Sequence, residues 1–239
     1  MAAEIDRAHT LARLMLYFGN TLFLELAMKQ RVKTTQPMVY AFDKPPRQRI
    51  LEASDKIFRI SGIRAGIGAI AYEAHSNSAT VTKYFGHPER LVALFVESLI
   101  EIAGKARRDL EAAYPNDAET RLRAWIWHEM QDDPFSAATL LSRSAAELQQ
   151  HPKDKLLVEI EKYWRAERFW VTDLCTASRF REPGELADKL LLLVHGTRNE
   201  RKAFGYGGPS QRLSQAGDDL MVAHGAVRKP PFFDALTEE

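Results

Sequence analysis

Two short stretches of the chain bring chemistry-bearing side chains together. In HSNSATVTKYFG, residues 75 to 86, Ser78, Thr80 and Thr82 offer hydroxyls in close succession and Lys83 adds a charge. Hydroxyls bond to base edges or phosphates and a lysine neutralises phosphate, so this is chemistry suited to a nucleic acid. In HEMQDD, residues 128 to 133, His128 and Asp132 stand four apart with Glu129 beside them, a spacing that could put two metal ligands on one helical face. Zincin chemistry needs a second His at position 132 and a third ligand elsewhere. A polar helix end stopped by Pro134 explains the same residues. No Gly-rich phosphate loop and no nucleophile motif occurs. The lone Cys175, in WVTDLCTASRF, has no disulfide partner and reads as a buried helical position suited to a reducing cytoplasm. The expectation is a cytoplasmic protein with no catalytic, metal or cofactor site.

The elements that must hold these residues are helical. After Pro46 the apolar residues Ile50, Ala53, Ile57, Phe58 and Ile60 keep to one stripe, and Gly62 ends the run. A second helix is expected at about 66 to 74, with Ile67, Ile70, Ala71 and Ala74 as its stripe. Asn77 is a good cap for a third, through Tyr84, because its side chain can accept an orphan amide hydrogen. On that third helix Val81 and Phe85 lie four apart and anchor one face, while Ser78, Ala79, Thr82 and Lys83 show on the other. Further helices are expected over 88 to 113, 117 to 132, 135 to 150, 152 to 178, 184 to 204 and 210 to 225. Pro115, Pro134, Pro152, Pro183 and Pro209 mark the breaks, each near a first turn where a missing amide hydrogen costs little. No alternating strand pattern and no internal repeat is present. The fold class is all-α.

The 239 residues carry 33 basic and 32 acidic side chains, so affinity for a polyanion must come from a local patch. Such a patch lies ahead of the first helix, where Lys29, Arg31, Lys33, Lys44, Arg47 and Arg49 face Asp43 alone. The apolar run at residues 11 to 28 is broken by Asn20 and Glu25 and falls short of the ~20 residues a membrane helix needs, so it reads as an extra soluble helix. A start of translation at Met28 or Met38 is the other explanation for it. The ending VRKPPFFDALTEE is expected to be loose, with Phe232 and Phe233 able to dock.

RQRILEASDKIFRISGIRAGIGAIAYEAHSNSATVTKYFGHPERLVALFVESL, residues 47 to 99, resembles the DNA-binding domain of TetR-family transcriptional regulators. ILEA and IF in the first helix, GIRA at its end, IA.EA in the second and T....F followed by G.PERL carry the likeness. AAELQQHP, ELADKLLLLVHG and GP resemble the regulatory domain of one branch of the family. Departures are His75 where the turn usually has Gly, Thr82 for a frequent Tyr, Pro88 for a usual Lys, and one residue fewer near Ala65 and Gly66, which removes a Ser or Thr cap. His75 must then be left-handed or the turn must differ.

The resemblance implies an N-terminal extension and basic linker at 1 to 46, a three-helix helix-turn-helix domain at 47 to 92, a helical ligand-binding and dimerisation domain at 93 to 226, and a tail at 227 to 239. Ser78, Ala79, Thr82 and Lys83 would face bases; Thr80 and Tyr84 would hold the sugar-phosphate backbone, with Arg47, Arg49 and His87 as further phosphate contacts. One recognition helix reads few base pairs, so a two-fold homodimer on double-stranded DNA bearing an inverted repeat is expected. Leu186, Leu190, Leu193 and Val194 form one candidate dimer stripe, and Leu213, Ala216, Gly217, Leu220 and Met221 another whose small members permit close approach. Among Trp125, Trp127, Phe135, Tyr163, Trp164, Phe169 and Trp170, the resemblance implies a pocket for a small, largely apolar ligand, with Trp125 and Trp164 as candidate lining. The expected function is ligand-responsive repression. The alternative is a helical ligand- or partner-binding dimer that has lost DNA recognition.

Overall fold

Proline at its first turn and glycine just past its last residue bound the first helix, α1, at Pro46–Ser61. Gly62 has φ of 90°, and a Cβ there would also collide with the Glu147 carboxylate, so the stop is enforced by backbone and packing together. The computed structural model describes residues 44–131, 135–149, 154–204 and 208–229, all within one unit that begins at Lys44. Among them every regular element is helical: α2 (Ile67–Glu73), α3 (Ser78–Phe85), α4 (Pro88–Ala113), α5 (Ala118–Gln131), α6 (Ala137–Leu148), α7 (Lys155–Ala177), α8 (Pro183–Phe204), a 3-10 turn (Pro209–Arg212) and α9 (Leu213–Ala223). These spans follow the expected ones to within a few residues. The apolar run at 11 to 28, the basic residues up to Asp43, Asp132, Phe232 and Phe233 lie outside the described residues.

Two apolar clusters hold the unit. The first joins α1 to α4 through Ile50, Phe58, Ile70, Val81, Leu91 and Leu99, and continues into α6 and the first half of α7 through Leu140, Leu141 and Ile160. The second gathers Leu122 and Ile126 of α5, Val171 of α7, Leu186, Leu190 and Val194 of α8, and Met221 of α9. Each such side chain, fully buried, stabilises by about 1.5–3 kcal/mol. The boundary expected near residue 92 falls inside α4, whose amino-terminal part packs in the first cluster while Leu110 reaches the second. Cys175 is buried, and burial pushes its thiol up to about 12.

Three sequence expectations are corrected by the packing. Ile60 is exposed although it follows Phe58, because it leaves the α1 stripe at the helix end. Of the nine residues assigned to a dimer surface, Leu186, Leu190, Val194, Leu213, Gly217 and Met221 are buried within the single chain. The small residue does permit close approach, but toward α5: a Cβ on Gly217 would lie 3.0 Å from Ile126 Cδ1. Finally, the start of the tail is tied down by Arg228 to Asp219 at 2.7 Å and Lys229 to Glu119 at 3.0 Å.

Candidate nucleic-acid interface and cavity

α3 is short, so its ends and its underside decide whether it forms. Asn77 caps it: its Oδ1 accepts from the Thr80 amide at 2.8 Å and from the Thr80 hydroxyl at 3.0 Å. Gly86 closes it with φ of 73°. Val81 and Phe85 are buried beneath, and the Arg47 guanidinium sits 5.6 Å from the centre of the Phe85 ring. The α2–α3 turn is made by His75 at φ of 47°, so the non-glycine residue does take the left-handed conformation. α2 starts at Gly66 with no side-chain cap, as the shortened sequence implied.

What remains outward is a continuous polar face. Ser78, Ala79, Thr82, Lys83, Tyr84 and His87 are exposed, and Thr80 is half-buried at the edge. The Thr82 hydroxyl donates to the Ser78 carbonyl at 3.0 Å, so its hydrogen is used within the helix and its oxygen is left to accept. Arg47 is exposed. Arg49 departs from expectation: it is half-buried with Nε and Nη1 out of solvent, so it presents less charge to a polyanion.

Behind this face α6 grips the end of α1. Arg143 donates to the Arg59 carbonyl at 2.8 Å and to the Phe58 carbonyl at 2.9 Å, the second of which also accepts the Gly62 amide hydrogen at 3.0 Å, so α6 supplies donors to the last turn of α1. Arg64, in the turn after α1, donates to the Glu147 carbonyl at 2.6 Å. Arg59 itself donates to the Phe135 carbonyl at 3.1 Å, just ahead of α6.

The same elements wall a cavity of about 290 Å³. Ile102, Ala103, Ala106 and Leu110 of α4, Trp125 of α5 and Phe135 give it an apolar lining, and Arg59 places α1 on its wall. Trp125 lines it as expected. Trp164 does not: it lies in a groove between α7 and α8 with Leu191, Leu192 and His195. Arg107, His128, Glu129, Tyr163 and Glu167, with Ser136, Ala137 and Ala138 at the start of α6, complete the cavity, so the wall is less apolar than the sequence implied.

Behind the wall, Arg198 of α8 is buried and forks onto both acids, reaching Glu129 Oε1 at 2.6 Å and Glu167 Oε1 at 3.0 Å. Burial pushes the Glu167 carboxyl up. The charge of Arg198, bonds from His195 and Arg198, and the charge of Arg107 outweigh it and hold Glu167 well below the usual carboxylate range. Burial first, then the charge of Glu167, raise the Tyr163 hydroxyl. Glu129, the centre of the HEMQDD stretch, is thus engaged in an internal ion cluster. No group of His, Cys, Asp and Glu among the described residues could hold a metal ion.

Sequence reasoning missed this cluster, although a signal existed. Arg107, Glu129, Glu167 and Arg198 each continue a buried apolar stripe at helical spacing: Leu99, Ala103, Arg107; Leu122, Ile126, Glu129; Ile160, Tyr163, Glu167; Leu190, Val194, Arg198. A charge in core register must find an opposite charge there.

A capped recognition-type helix carried on a cavity-bearing helical body defines a helix-turn-helix protein whose body holds a partly open cavity. Solved structures similar to it include TetR-family transcriptional regulators. One from Streptomyces coelicolor matches with a TM-score of 0.66 and 18% identity over 76% of this chain and 96% of its own. One from Haloarcula marismortui matches with 0.61 and 19% over 75% and 97%. A transcriptional regulator from Saccharomonospora viridis, solved with choline, matches with 0.62 and 16% over 77% and 98%. The chain has the TetR-regulator fold. No family model and no curated protein matches its sequence.

Proposed function

We propose that the protein is a cytoplasmic, homodimeric transcriptional repressor that binds an inverted repeat and is released or repositioned by a small molecule in its cavity. The observation that carries this reading is α3. Its apolar residues Val81 and Phe85 are spent inside, while Ser78, Ala79, Thr82 and Lys83 are left open on a fold that solved relatives use for transcription control. Short side chains let the helix backbone enter a major groove, and Lys83 with Arg47 and His87 supplies contacts for phosphate. Thr80 and Tyr84 hold the sugar-phosphate edge, with Arg49 a weaker contributor for the reason given above. The domain division at residue 92 is part of the same reading. α4 then joins the two functions as a single rod: its first turn adjoins α3 and its later turns wall the cavity. A ligand acts through its different affinity for two positions of that rod, which set the spacing of the paired α3 helices.

The reading is tested by titrating salt against binding to the DNA next to the protein's own gene, where an inverted repeat is expected. Log affinity should fall linearly with log salt. Lys83→Ala should lower the slope by about one per subunit if Lys83 meets phosphate, or relax sequence preference if it reads a base. The rival reading, a helical dimer without DNA recognition, draws on Pro88 in place of a usual lysine and on the committed Thr82 hydroxyl. It predicts no sequence preference and no effect of Lys83→Ala.

A further inference from the structure

We infer that the cavity takes a small carboxylic acid whose carboxylate pairs with Arg107, an assignment that deepens the ligand-responsive reading and rests on it for any effect on DNA. Arg107 leans on the Tyr163 ring, its guanidinium carbon 4.4 Å from the ring centre, which fixes the plane of the fork. Its Nη2 is buried and has no hydrogen-bond partner, and among the described residues none accepts a bond from this side chain. Glu167 Oε1 is 3.5 Å away, close enough for attraction but too long for a good hydrogen bond. The Nη2 donors, sealed from solvent with only that long contact, are costly to leave unmet.

The two acids of the wall cannot meet that need. Glu129 receives two bonds from Arg198, and Glu167 receives two from Arg198 and one contact from His195 at 3.3 Å. Their commitment also argues against a cationic guest, because no carboxylate is spare to pair with an ammonium. The group that lacks a strong partner is the cation, and its strongest partner is a carboxylate met by the planar fork. The acid must use the edge of the guanidinium turned away from Glu167. Ile102, Ala106 and Trp125 then cover its carbon skeleton. A cavity of about 290 Å³ lies at the small end of ligand sites, so the skeleton is a single ring or a short chain.

The experiment uses the full chain and four acids, benzoate, cinnamate, hexanoate and octanoate, each beside its primary amide and its primary amine. Binding is read by calorimetry and by tryptophan fluorescence. At least one acid should bind about tenfold or more tighter than its amide and its amine, a comparison that needs no variant. Arg107→Met should remove that preference, and Ala106→Leu should weaken acid binding by filling the space with Arg107 intact. Amide or amine binding as tight as the acid, no acid bound, or full acid affinity in Arg107→Met would each overturn the assignment. DNA affinity is measured separately. An acid that binds in the expected pattern yet leaves DNA affinity unchanged supports the ligand class and removes the regulatory reading instead.

Discussion

Arg198 holds the buried ion cluster together from one side chain. It is almost fully buried and is the shared partner of Glu129 and Glu167, so removing it strands two carboxylates in the interior. Breaking a buried pair by deleting one partner costs about 3–5 kcal/mol, and Arg198→Met should fall in that range at neutral pH. The pH dependence follows from sign. In the wild type the Glu167 pKa is depressed, so its contribution is present above the unfolded value and is lost as pH falls toward the folded one. In the variant burial, the largest influence on Glu167, loses its strongest opponent and pushes that carboxyl up, so the penalty grows only as pH rises past the ordinary glutamate value of about 4.3. Urea unfolding of the two proteins should show the gap widest near pH 7 and narrower near pH 5; an equal gap at both would separate Arg198 from its acids.

At the scale of elements, α6 is a second link, beside α4, between the cavity and the first three helices. Ser136, Ala137 and Ala138 at its start line the cavity, and Arg143 and Glu147 further along hold the end of α1 and the turn after it. Arg143→Met takes the side-chain donor from the Arg59 carbonyl and leaves Phe58 with the Gly62 amide alone, and should cost about 1–3 kcal/mol in urea unfolding. It should also weaken the response of DNA affinity to an occupying ligand; an unchanged response would mean that α4 alone carries it. The helices themselves were legible in sequence because Pro46, Gly62, Asn77, Gly86, Pro88 and Pro183 act on their own few residues. The α6–α1 clamp was not, since its partners stand 84 and 85 residues apart and no local pattern pairs them. The nature of the α3 face was legible, for Val81 and Phe85 four apart leave only one side outward. Which way α8 and α9 turn was not: a stripe such as Leu186, Leu190 and Val194 has the same spacing whether it packs on its own chain or on a copy.

At the scale of the whole molecule, the burial of that stripe moves the expected mating surface rather than removing the need for one. On the proposed reading two recognition helices stand about 34–36 Å apart on adjacent half-sites, and the described residues of one chain supply one. Of the residues first assigned to the interface, Leu193, Ala216 and Leu220 keep partial exposure. Beside them on α8, Leu192 is 74% exposed, a large aliphatic side chain that the single chain leaves in water. A charge at each of two neighbouring positions separates interface from core. Leu192→Glu should weaken self-association about tenfold or more in analytical ultracentrifugation while changing unfolding free energy by no more than about 0.5 kcal/mol, as surface substitutions do. It should lower affinity for the full inverted repeat toward that for a single half-site. Leu190→Glu, only two positions away but 1% exposed, should instead lose the folded state, because it puts an unpaired charge into the second apolar cluster. If Leu192→Glu stays dimeric at the wild-type concentration, the contact lies on another face, and the apolar groove that Leu192 shares with Trp164 between α7 and α8 is not part of it.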